Sequence, residues 1–152
     1  MAGAPDRFGF RRDDPSLLVD AVRRSVEAGR GWVNAAPVVD DAPAGTRGPA
    51  SWLSARGPAV PTVTFVAGRS GRAHQLGIEH GSGNGAITRL RDAGVALPPG
   101  ARRRADHPRR GLVVEVPAGC DPVDVVRFLL DAADLLGVVP TDGRWEATHY
   151  PG

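Results

Sequence analysis

The chain contains no lysine; all 19 of its basic residues are arginine. It has one cysteine, Cys120. A lone cysteine excludes an internal disulfide framework and a multi-cysteine zinc site. No stretch of about 18 uninterrupted apolar residues exists, so no segment reads as a membrane-spanning helix. Residues 1–12 lack the apolar stretch that a secretory signal peptide needs. From these absences we expect a cytoplasmic protein with no membrane association. No metal and no cofactor is expected either, because no spaced set of His, Cys, Asp and Glu is present to hold one.

What is present fits one folded domain. The 152 residues include 41% apolar residues, enough for one core and too many for a chain disordered throughout. Ala, Gly, Pro, Arg, Val and Asp dominate, while Asn, Gln and Ile are nearly absent. These preferences follow GC-rich codons, so the expected source is a high-GC bacterium such as an actinomycete. Part of the arginine excess is then codon bias. The net charge is only +2, yet it is unevenly placed. Residues 1–110 hold 17 Arg against 10 acids, a balance of +7; residues 111–152 hold 2 Arg against 7 acids, a balance of −5. Such a split marks either a surface for a polyanion or partner, or simply a solvated face.

Residues 1–13 read as a flexible polar segment in which Phe8 and Phe10 have no evident place. The domain proper is expected over 14–152. Asp14 suits a helix N-cap and Pro15 a first helical position. Leu17, Leu18, Ala21, Val22 and Val26 form a stripe at helical spacing, which Gly29 closes. A strand follows over 31–38. Residues 39–61 make a long Pro/Gly-rich loop carrying Trp52 and Leu53; loops of that length are commonly functional or disordered. Alternation over 62–67 and 73–80, with a Gly-rich connection at 68–71, predicts a hairpin. A short helix over 86–93 and a second hairpin around 102–116 come next. Asp121 as cap, Pro122 at the first position and the stripe Val125, Val126, Leu129, Leu130, Ala133, Leu136 predict a helix over 122–136. A last strand is expected over 144–150. The fold class is therefore α+β: a mostly antiparallel sheet of about five to six strands, with three helices covering one face.

The order of elements across residues 14–137 resembles that of secretion-chaperone-like domains. That resemblance implies protein binding. The pieces His74–Gln75–Leu76–Gly77 and His107–Pro108–Arg109–Arg110–Gly111 resemble small actinobacterial proteins of unknown function, a likeness that implies no activity.

Four places invite a chemical reading. The turn His80, Gly81, Ser82, Gly83, Asn84, Gly85 precedes a helix, and its uncovered amides suit an anionic ligand. With Ala86 it also matches a dinucleotide-binding pattern, but the strand before it alternates where such a strand should be apolar throughout. Asn84 is the helix cap in the plainer reading. His80 has Asp106, Glu115 and His107 as candidate acid–base partners. Arg102, Arg103, Arg104, Arg109 and Arg110 form a basic run suited to a polyanion, yet without the interleaved aromatics of single-strand binders. Cys120 reads as the residue before a cap, packing on Val125. Ser51, Ser54, Ser70 and Ser82 lie in no recognised nucleophile elbow.

No catalytic set assembles. The leading expectation is a non-enzymatic protein-binding or adaptor domain, chaperone-like in kind, with Trp52 and Leu53 as contact residues. The alternatives are a small anionic ligand binder or enzyme at His80–Gly85, and a nucleic-acid binder at the Arg102–Arg110 hairpin.

Overall fold

In the computed structural model, residues 3–39 and 59–152 are described. The elements run β1 (Asp6–Arg11), α1 (Ser16–Ala28), β2 (Trp32–Pro37), β3 (Thr62–Val66), β4 (His74–Glu79), α2 (Ala86–Asp92), β5 (Arg102–His107), β6 (Gly111–Val116), α3 (Pro122–Leu136) and β7 (Arg144–Tyr150). Trp52 and Leu53 lie outside the described residues, with most of the 39–61 loop.

Helix α3 follows from local chemistry. The Asp121 carboxylate accepts the Val123 amide at 2.9 Å, and Pro122 sits where a missing N–H costs nothing. Its apolar stripe is buried from Val125 to Leu136. Helix α1 begins at Ser16, one residue later than expected. The Asp14 carboxylate accepts the Ser16 hydroxyl at 2.8 Å. Gly29 ends the helix with φ +61, a conformation that glycine adopts without a Cβ penalty. Leu17 does not join the core: it is 50% exposed, while Leu18 beside it is 2% exposed.

All seven strands form one antiparallel sheet in the order β1-β7-β2-β3-β4-β6-β5. That is an α+β fold with one or two more strands than expected. The additional strand is β1, drawn from the segment expected to be flexible. Residues 6–11 pair along their length with β7, from Asp6 opposite His149 to Arg11 opposite Arg144. Phe10 is buried and stacks on the Trp145 indole at 5.9 Å between centroids.

Strand alternation sorts the side chains. Val33, Ala35, Val63, Phe65, Leu76 and Ile78 belong to the buried core beneath the helices. Helices α1 and α3 pack on each other and on this face, and α2 packs against α3 and β5. The other face displays Trp32, Asn34, Thr64, Gly77, Glu146 and Thr148 among others. No described helix or strand covers it.

The charge split along the chain closes on itself in space. Arg12 pairs with Asp131 and, at 2.7 Å, with Asp134 on α3. Arg104 pairs with Glu115 across the β5–β6 hairpin at 2.7 Å. At these two places the basic and acidic segments neutralise each other.

Candidate functional site

The turn after β4 gathers several polar side chains around one position. His80 is fully buried at the end of β4. Its Nδ1 accepts from the Ser82 hydroxyl at 2.8 Å and from the Ser82 amide at 3.3 Å. Gly83 and Gly85 take φ values of +86 and +74, which lets the chain reverse into α2. Asn84 is exposed and does not cap the helix; Gly85 holds the N-cap position with no side-chain hydrogen bond there. The Ile87 amide is instead satisfied by Asp106 Oδ2, reaching over from β5 at 3.0 Å. An anionic ligand is one alternative reading of this helix start; the Asp106 carboxylate already takes up its Ile87 amide. Arg89 folds back and donates from Nη2 to the Gly83 carbonyl at 3.3 Å.

Of the acid–base partners considered for His80, the fold brings Asp106 within electrostatic reach. Glu115 is on the opposite face of β6 and is engaged by Arg104. His107 stands exposed at the hairpin tip, where its Nδ1 accepts the Arg109 and Arg110 amides at 3.1 and 3.3 Å. Burial pushes the His80 pKa below the ordinary value of 6.5; the Arg89 charge adds to the effect and Asp106 opposes it. Sequence reasoning missed Arg89. The basic residue one turn into a Gly-rich helix start was the available signal. Among the described residues no group of three or more His, Cys, Asp or Glu is placed to hold a metal ion.

Arg102, Arg103 and Arg104 are exposed on β5, the edge strand beside β6. A register shift between Arg103 and Ala105 interrupts the ladder there. Charged side chains and a bulge on an edge strand discourage pairing with another chain, which gives the run a structural role of its own. Arg109 and Arg110 flank the hairpin tip. Cys120 is half-buried against the core, and burial chiefly raises its thiol pKa, which disfavours the thiolate.

A second location was not singled out from the sequence. Trp32 is 40% exposed and stacks on the Tyr150 ring at 4.8 Å between centroids, with the rings 14° from parallel. Val66 pairs with Trp32 across β2–β3 and is also 40% exposed. Both line a groove of about 800 Å³ at one end of the sheet, together with Glu27, Arg30 and Arg69. No ion pair engages Arg30 or Arg69 among the described residues. The alternation of β2 did hold the signal: Val33 and Ala35 inward leave Trp32 outward.

No helix of the described residues is long and apolar enough to cross a membrane. No family model matches the sequence, and no curated protein and no solved structure shows significant similarity to it.

Proposed function

We propose that the protein is a non-enzymatic protein-binding domain and that it binds through the groove at Trp32. The observation that carries this reading is the exposed Trp32–Tyr150 stack beside Val66, on a sheet face that no described element covers. Large aromatics left at the surface and rimmed by arginine are the residues that dominate binding energy at protein interfaces. Arg30 and Arg69 outnumber Glu27 at the same groove. The partner that fits is a protein segment bringing an apolar or aromatic side chain flanked by carboxylates.

The test compares what the parent protein and two variants retain from an extract of the source cell. Trp32→Ser removes the apolar anchor; Arg30→Glu with Arg69→Glu reverses the rim. A protein retained by the parent, lost with Trp32→Ser and weakened by the charge reversal supports the reading. Retention that ignores all three substitutions refutes it. Retained DNA or RNA, released steeply by salt, would favour the Arg102–Arg110 hairpin instead. A phosphate-bearing small molecule bound at His80–Gly85 would favour the ligand-binding alternative.

A further inference from the structure

Three buried polar atoms near the β4–α2 turn have no hydrogen-bond partner: His80 Nε2, Arg89 Nε and Asp106 Oδ1. Each belongs to a side chain pinned at its other polar atom to the same short stretch. His80 is held by Ser82, Arg89 by the Gly83 carbonyl and Asp106 by the Ile87 amide. All three side chains are thus anchored to residues 82–87, and His80 lies within electrostatic reach of both Arg89 and Asp106. A buried polar atom left unpaired is costly, so these three call for partners.

The donor and acceptor count narrows that occupant. His80 Nδ1 accepts the Ser82 amide, so its lone pair is committed and the ring proton of the neutral imidazole is on Nε2. His80 Nε2 and Arg89 Nε are then both donors, and Asp106 Oδ1 is an acceptor. A cation would face two N–H groups. An anion would face a carboxylate oxygen. The cluster itself carries one positive and one negative charge, so it asks for no net charge from a ligand. A molecule that accepts twice and donates once meets all three atoms, and water does this at small size.

We infer that one buried water molecule binds among His80 Nε2, Arg89 Nε and Asp106 Oδ1, and that it ties β4, α2 and β5 together. It accepts from the two nitrogens and donates to the carboxylate. Helix α2 has seven residues, too few to be stable alone, and its attachment depends on contacts of this kind.

The test needs only the unmodified protein. A crystal structure at a resolution that defines ordered solvent should show a peak within hydrogen-bond distance of all three atoms. Nitrogen NMR of the His80 ring should show a protonated Nε2 and an unprotonated Nδ1, with magnetisation passing from the Nε2 proton to a long-lived water. The inference is overturned if Arg89 Nε or His80 Nε2 bonds directly to Asp106 Oδ1. It is equally overturned if the proton is on Nδ1, or if the peak is a halide or another ion.

Discussion

Leu17 and Leu18 are adjacent on α1 and chemically identical, but the fold treats them differently. Leu18 is 2% exposed and Leu17 is 50% exposed. Truncation to alanine removes three carbons. For a fully buried side chain the lost transfer energy is about 2–2.5 kcal/mol, at about 0.8 kcal/mol per carbon. The cavity left behind raises the cost of Leu18→Ala to about 2.5–5 kcal/mol. At Leu17 half of the side chain already touches water and no cavity forms. The cost there is about 1 kcal/mol, reduced by a few tenths because alanine favours the helix. Urea unfolding followed by tryptophan fluorescence, with buried Trp145 as reporter, measures both. The expected difference between the variants is about 2 kcal/mol or more, with unchanged m-values. In heat, each kcal/mol displaces Tm by about 2–4 °C for a domain of this size. Equal costs at the two sites, or a larger cost at Leu17, would refute the packing of α1 described above.

Asp121→Ala removes the cap of α3 and should cost about 0.5–2 kcal/mol in the same assay; Asp121→Asn, which keeps an acceptor, should recover most of it. Gly111→Ala should prevent or strongly impair folding, because φ is +85 there and a Cβ would run into the Ile78 carbonyl oxygen; soluble yield and far-UV circular dichroism read this directly. Stability should fall with acid in the range below pH 6.5. His80 and His149 are buried, and burial foremost lowers both pKa values beneath 6.5, with Arg24 adding to the effect at His149 and Asp6 opposing it. The unfolded chain therefore takes up protons first, so this contribution is fully present above about 6.5 and is lost as pH falls through the folded values. Substituting Gln for both histidines should flatten the dependence of unfolding free energy on pH between 7 and the folded pKa values; an unchanged slope would refute the assignment.

The elements that were legible in the sequence are those whose causes are local. Helix α3 is set by Asp121, Pro122 and a stripe within one stretch, and its bounds agree with expectation. Strand β1 was not legible, because Asp6–Arg11 mixes charge, glycine and two phenylalanines. Its reason to be a strand is β7, far away along the chain. Leu17 fits the apolar stripe of α1 by spacing alone; only the placement of the neighbouring elements decides that it stays outside. At the turn, glycines and His80 announced a special backbone. The Asp106 cap on Ile87 comes from 19 residues further on, and no local rule names it. The charge split was plain in the sequence, while its closure by Arg12 on Asp131 and Asp134 is a property of the tertiary arrangement.

The position of β7 has a consequence for how the chain acquires its shape as it is made. β7, the last of the described strands, inserts between the first two, β1 and β2. β1 has no other strand neighbour, so synthesis must reach residue 150 before the first strand can find its ladder. Until then Phe8 and Phe10 remain open to water, and β2 presents a bare edge to any other nascent chain. Closing the sheet joins the most distant parts of the described chain in one step. Ordering of β1 therefore waits for β7 and is a late event in folding.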